Sequence, residues 1–416
     1  MPRRPPLYRW SARVASRFPE LRPAHARALA EWSYAMVLTQ AASLAAVALQ
    51  LAAILGQKVN AARQRLRELY RPPRTELAFD PAACCGPLVR WITSGWADRR
   101  IALALDASNL GDRFTVLAAS IVYRGIGLPV AWTIKAGKTP TGSWNPIWKT
   151  LLERVAAALG AGWEIYVFTD RGMESATLFR TICAAGAHPM MRVKAGNQFR
   201  PAGRSKARKM GRFAAKPDSR FASRGTAYPT SKTEPLECTL LACRMDGCED
   251  PWSILTDRAP SSADPAWYGF RGWIEQGFRA FKRGGWRWAR SRMADPERAE
   301  RVFAAMALAE VWAVEVGGAA ELDERAIPVP PLSPSEPKPK KSKRRAKAGR
   351  KPKRGSNRPG SKRQHRLFTR GIASIVAGLL NGELPTGRFE PEPWPARKRI
   401  PRISEAEFDR QDATYP

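Results

Sequence analysis

The sequence predicts an α/β protein, a mixed sheet-and-helix core with a β-rich insertion, preceded by a small all-helical domain. Three observations carry that reading. Apolar residues recur at helical spacing from Pro23 to Tyr70. From Ile101 the chain changes to strand-like runs, and onward to Val193 these alternate with helical segments in the order βββαβαβ. Residues 196–235 then lose this regularity and are rich in Arg, Lys, Ser, Gly and Pro before strand character returns.

Taken in order, Pro23–Tyr70 reads as helices broken at Gly56, an Ala/Leu-rich stretch followed by a basic one with Lys58, Asn60, Arg63, Arg65 and Arg67. A basic helix after a turn-permitting glycine is what a helix-turn-helix places in a major groove, and a solvated basic face on a packing helix accounts for the same residues. Tyr34–Leu55 has no charged residue and is long enough to cross a bilayer. Alanine dominates it and inserts poorly, so closely packed helices are expected there and no membrane. Adjacent Cys84 and Cys85 read as buried small hydrophobes.

Ile101–Asp106, Phe114–Tyr123 and Leu128–Ile134 form an expected antiparallel meander turning at Gly125 and Gly127. A helix from a Ser143 cap (Trp144–Leu159), a strand (Glu164–Thr169), a helix (Ser175–Ala185) and a strand (Pro189–Val193) follow. Leu236–Arg244 and Trp252–Thr256 regain strand character, Trp267–Arg283 and Pro296–Val316 read as α-helices, and Leu367–Leu380 as an amphipathic helix that docks back. Between them Ile327–His365 has the composition of a disordered linker. The expected division is a helical DNA-binding domain at 1–75, a core in two parts at 100–195 and 251–322, the insertion at 196–250, a basic linker at 323–366, and a C-terminal helix and tail at 367–416.

Over 416 residues, 70 Lys and Arg stand against 37 Asp and Glu, a formal charge of +33. Sixteen of these cations lie between Lys338 and Arg370, where there is no acid, so the excess is partly a tail and partly global. No neutral small molecule calls for such a balance; a polyanion does. Six cysteines in so long a chain make no disulfide framework, and arginines and prolines interrupt the opening, so no signal peptide is expected and a reducing cytoplasm fits. Cys238, Cys243 and Cys248 recur every five residues, yet none of the three histidines, His25, His188 and His365, is near them, so zinc is not expected.

Three acids stand out. Asp106 ends the first strand, Asp170 the fourth, and Glu275 lies mid-helix after the insertion. Carboxylates converging from such places suit two divalent cations, which prefer hard oxygen ligands. Asp257 in Leu-Thr-Asp-Arg mimics Asp170 in Phe-Thr-Asp-Arg and is set aside because no further acid is needed. Around Glu275, Tyr268, Arg271 and Lys282 sit at offsets that, on an α-helix of about 100° per residue, fall within an arc of roughly 60°, and Arg279 joins the stripe. Trp286 and Trp288, interleaved with Arg287 and Arg290, suit either base stacking or burial against the next helix.

Tyr268, Arg271, Glu275 and Lys282 reproduce Y-x2-R-x3-E-x6-K, and the chain thereby resembles the DDE transposases of the IS-four family of bacterial insertion sequences. Asp106 and Asp170 lie where that family has its first two catalytic aspartates. The resemblance, over about residues 100–316, implies a ribonuclease-H-like core and metal-dependent cleavage and joining of double-stranded DNA, at element ends and target. It implies two Mg2+ ions, with Mn2+ as a substitute, Asp106 bridging both and Asp170 and Glu275 holding one each. Arg271 and Lys282 would grip phosphates beside the cut and Tyr268 would bond a phosphate or orient the DNA end. A homodimer pairing two ends, in the bacterial cytoplasm at the nucleoid, follows from the same likeness. The chain departs from the family at Gly272, where an aromatic residue is common; Trp273 follows it here. A nuclease without strand transfer and a domesticated DNA-binding protein without catalysis are the competing readings, and inverted repeats flanking the reading frame would separate them from the first.

Overall fold

The computed structural model describes residues 6–70, 78–137, 144–215, 219–230, 235–244, 251–326, 367–391 and 393–396. The basic run from Lys338 to Arg366 and Cys248 lie outside them.

The core is one sheet. Strands β1 (Arg100–Leu110), β2 (Phe114–Tyr123) and β3 (Ile126–Ala136) form the expected antiparallel meander, and β4 (Glu164–Thr169) and β5 (His188–Val193) run parallel to β1. The order β3-β2-β1-β4-β5 is that of a ribonuclease-H-like core. All ten residues of β2 are buried, as its unbroken apolar and small composition requires of a covered strand. Parallel neighbours β1 and β4 are in register, Ala104 beside Phe168, so the continuing strands carry Asp106 and Asp170 out at the same level.

The insertion adds to this sheet. Beyond β5 come β10 (Trp252–Thr256), β9 (Leu236–Cys243), β8 (Arg220–Ala227), β6 (Gln198–Pro201) and β7 (Arg208–Lys209), all antiparallel to their neighbours. Residues 196–235, which lack periodicity, therefore include three short strands, β8 pairing with β9, β6 with β8 and β7 with β6, and this ladder supplies what their own sequence does not. Cys238 and Cys243 are buried in β9, and burial pushes the Cys238 thiol up to about 12.

The helices around the sheet differ from expectation in three places. Helix α1 (Pro6–Arg17) has no counterpart in the sequence reading, although Leu7, Trp10 and Val14 form a buried stripe among its arginines. The uncharged stretch forms two helices, α2 (Pro23–Thr39) and α3 (Leu44–Leu55), bent by 99° at a break where Gln40 is left-handed (φ 48°) and Ser43 caps α3. Helix α4 (Val59–Tyr70) follows the left-handed Gly56 as expected. Helix α5 (Cys85–Thr93) was not foreseen; it buries both cysteines, and the low dielectric pushes the Cys85 thiol up to about 12.

Helices α6 (Asn145–Leu159) and α7 (Ala176–Ala184) match the sequence reading, with Ser175 capping α7. Between them Asp170 caps a short 3-10 turn, and after the insertion a nine-residue 3-10 segment (Pro265–Trp273) runs into α8 (Ile274–Arg279). Helix α9 (Pro296–Ala326) is ten residues longer than expected and is the core's axle. Its run Val302–Val314 is buried almost without interruption, as is 94% of the window long and apolar enough to span a membrane. Helices α2, α4 and α5 pack against α9, so the N-terminal helices share its core: Trp10 stacks on Trp312 at 4.1 Å and Arg13 pairs with Glu315 at 2.8 Å. Helix α10 (Leu367–Leu380) docks on α9 as the sequence suggests.

Candidate active site

The helix expected over Trp267–Arg283 is wound three ways: 3-10 at Pro265–Trp273, α at Ile274–Arg279, π at Ala280–Gly284. The α-helical arc expected for the signature residues therefore does not hold. The 3-10 winding has its own logic. At three residues per turn, positions i and i+3 eclipse. Trp267, Phe270 and Trp273 thus fall in one row, and Tyr268 and Arg271 in another. Gly269 and Gly272 lower α propensity in this stretch, and Asp264 caps it by accepting from the Ala266 amide at 2.7 Å.

The Tyr268 and Arg271 row faces the acids. Arg271 donates from Nη2 to Asp106 Oδ1 at 2.8 Å and to Asp170 Oδ2 at 3.3 Å. Asp170 Oδ1 in turn accepts from the amides of Gly172 at 2.8 Å and Met173 at 3.1 Å, which fixes its rotamer. One guanidinium nitrogen thus meets carboxylates from two strands. The Arg271 Nε is buried without a hydrogen-bond partner among the described residues. The Asp170 side chain stays 45% exposed, so the cluster opens to solvent on that side.

Tyr268 departs from the phosphate-contacting role the resemblance implies. It is 5% exposed and its hydroxyl donates to the Thr169 carbonyl at 3.0 Å, the residue before Asp170. Burial pushes its phenol up to about 12. Its hydroxyl ties the signature segment to β4 rather than pointing at solvent.

Glu275 lies in α8, on the backbone path that the sequence reading assigns it; its side chain is outside the described residues. The helix is seated by two glycines. A Cβ on Gly277 would stand 2.2 Å from the Gly127 carbonyl oxygen, and one on Gly127 would stand 2.9 Å from the Ile274 Cα. Without side chains there, α8 lies directly on β3 and reaches β1, the strand of Asp106. Arg279 is exposed and Lys282 half-buried. Trp286 and Trp288 are buried against Phe368 and against Phe303 and Phe114, which leaves no face for a base. Asp257 is remote for a topological reason: β10 runs antiparallel to β5, so Asp257 emerges at the opposite end of the sheet and pairs with His188 at 2.9 Å.

Residues 108–312 match the family described as the transposase DDE domain. The chain carries a transposase DDE domain. Asp170, Tyr268, Arg271 and Glu275 fall inside the matched span of this transposase, and Asp106 lies two residues before it. No curated protein matches the chain.

Of the basic residues predicted for the second helix, Lys58 lies just before α4 and is exposed, Arg63 and Arg67 on α4 are half-buried, and Ala62, Leu66 and Leu69 face the core. Arg65 is exposed as well, and its guanidinium lies 3.5 Å from the buried Glu31 carboxylate of α2. The signal that separates Arg65 from Arg63 and Arg67 is the charge of Glu31 on a neighbouring helix, which α4's own sequence does not contain.

For a cation-dependent enzyme the donor set is apt. Asp106 and Asp170 offer hard carboxylate oxygens, and their convergence on one Arg271 nitrogen marks a point where positive charge is already favoured. Among the described residues no group of three or more His, Cys, Asp or Glu converges as a metal site, the Glu275 side chain being outside them.

Proposed function

We propose that this transposase cuts the ends of its own element and joins them to target DNA, with Asp106, Asp170 and Glu275 as the three acids. The observation that carries the reading is the meeting of Asp106 and Asp170, 64 residues apart in sequence, on the one guanidinium of Arg271. Carboxylates brought from neighbouring parallel strands onto one guanidinium form a set of hard oxygen donors that suits a cation. Mg2+, or Mn2+ in its place, is the cofactor proposed, and two such ions when bound activate a water or 3′ hydroxyl and stabilise the leaving oxygen. The chain's own part is positional. Gly172 and Met173 amides hold Asp170, Tyr268 holds the signature segment on β4, and Gly127 with Gly277 seats the helix of Glu275. Arg279 and Lys282, on the open side of that helix, meet the backbone phosphates of the bound duplex. Helices α3 and α4 form the reader of end sequence, with Lys58, Arg63 and Arg67 toward DNA, and two copies pair two ends in the bacterial cytoplasm.

Asp106→Asn, Asp170→Asn and Glu275→Gln test the reading, since each removes an anionic ligand at nearly constant volume. Each is expected to abolish cleavage and joining of element-end DNA, with binding in the absence of divalent metal unchanged. A variant that cleaves at the parental rate removes its residue from the site. Cleavage by the parent without joined products would reduce the function to that of a nuclease.

A further inference from the structure

We propose that Trp394, in the segment after α10, is a positioning residue for the catalytic site, acting through the apolar row of the signature segment. This inference rests on the assignment of Asp106, Asp170 and Arg271 to that site.

After Leu380 the chain runs back across the molecule. Pro385 accepts from Trp312 Nε1 on α9 at 2.9 Å, and the Glu390 amide donates to the Tyr123 hydroxyl at the end of β2 at 3.2 Å. The strap then sets Trp394 among four rings: Trp267 and Phe270 of the 3-10 segment, both 5.0 Å away and near perpendicular, and Tyr166 and Phe168 of β4 at 5.2 and 6.4 Å. Trp267 Nε1 donates to the Pro395 carbonyl at 2.9 Å, and the Arg100 guanidinium lies over both Trp267 and Trp394, at 5.8 and 5.4 Å. The strap is therefore held by a hydrogen bond, by cation–π contacts and by edge-to-face packing.

The consequence for the site comes from adjacency. Phe270 precedes Arg271, Trp267 precedes Tyr268, and Phe168 lies two residues before Asp170 on the same face of β4. A 3-10 run of nine residues is long for a winding that is uncommon beyond about three or four. Its two rows are each clamped, one by Tyr268 and Arg271 on Thr169 and the acids, the other by Trp394. Among the described residues a cavity of about 30 Å³ lies beside Trp394, Phe270, Trp273 and Pro391, room for about two waters. Removing the indole opens the second clamp and lets the segment rewind, which moves Arg271 relative to both aspartates.

The test uses the full-length protein with element-end DNA and with Mn2+ as the metal probe. Trp394→Ala is expected to lower the cleavage rate at saturating DNA roughly 100-fold, the scale on which an ångström of misplacement acts. Its affinity for end DNA without metal stays parental, and Mn2+ binding followed by electron paramagnetic resonance weakens. Trp394→Phe restores most of the rate, because a ring of similar placement refills the row. Val14→Ala, in the buried stripe of α1 far from the site, serves as the stability control. It is expected to lower the melting temperature while leaving the rate intact. Parental cleavage by Trp394→Ala overturns the proposal, and so does an equal rate loss in Val14→Ala. If Asp106→Asn binds Mn2+ as the parent does, the acid-site reading fails, and the role of Trp394 falls with it.

Discussion

Glu310 stands in the middle of α9 fully buried, with neither carboxylate oxygen hydrogen-bonded among the described residues. Burial raises its pKa well above the ordinary 4.5, so it is neutral in the fold and ionises readily only when the chain unfolds. A raised folded value means stability that is fully present below the unfolded pKa and is lost as pH rises from there toward the folded value. Glu310→Gln removes that dependence at constant shape. Thermal melts of parent and variant between pH 5 and pH 8 are expected to diverge upward, the variant gaining relative to the parent as pH rises. Glu31, Glu300 and Glu315 are raised by burial too, so the difference between the two proteins, not the parent's slope, is the quantity to read. Parallel curves would mean that Glu310 is charged in the fold. At this scale the sequence showed where Asp170 leaves the sheet, because a strand end is a local pattern; Asp106 was expected to end its strand too, but β1 runs on to Leu110 and Asp106 pairs with Ala118 within it. The sequence did not show that Tyr268 turns inward to Thr169, since that depends on how far the signature segment lies above β4.

Seating of α8 on β3 depends on two absent side chains, and Gly277→Ala is the direct test. Its methyl would overlap the Gly127 carbonyl, so overpacking is expected to cost about 1–3 kcal/mol and to depress cleavage with it. Gly269→Ala, where among the described residues nothing beyond the chain neighbours lies within 4 Å of the added Cβ, is expected to leave both unchanged. Urea unfolding and a cleavage assay read the two together; equal effects at the two positions would show that glycine is needed there for some reason other than contact. The end-reading helix calls for a different design, because α2 and α4 share the core of α9 and deleting them would expose Trp312 and its neighbours. Arg63→Ala with Arg67→Ala keeps the buried row Ala62, Leu66 and Leu69 and is expected to abolish discrimination between end DNA and random duplex. Discrimination that survives in footprinting places specificity elsewhere. Most strands and the later helices were legible because their periodicities are clean. Helix α1 was hidden by arginines between its apolar positions, and the winding of 265–284 was not legible because periods of 3.0, 3.6 and about 4.4 differ little over so few residues.

Charge is a property of the whole molecule, and the sixteen cations between Lys338 and Arg370 are the part of it most readily removed. Deleting the run up to residue 362, which leaves α10 intact, is expected to weaken binding to specific and random DNA alike. The plot of log K against log salt should become shallower by about 0.9 for each phosphate that the shortened chain no longer neutralises. An unchanged slope would show that these cations do not touch DNA, and a loss confined to end DNA would make them readers of sequence. The fold class was legible at this scale because the order of elements is itself a sequence pattern. That the insertion prolongs the same sheet was not, since β10 pairing with β5 is a contact across some sixty residues. The strap has a consequence for synthesis. A chain leaves the ribosome from its N-terminus, so Trp286, Trp312 and Trp267 emerge before the groups they meet in the fold, Phe368, the Pro385 carbonyl and the Pro395 carbonyl. A nascent chain can therefore build the sheet while these three indoles still wait for their partners.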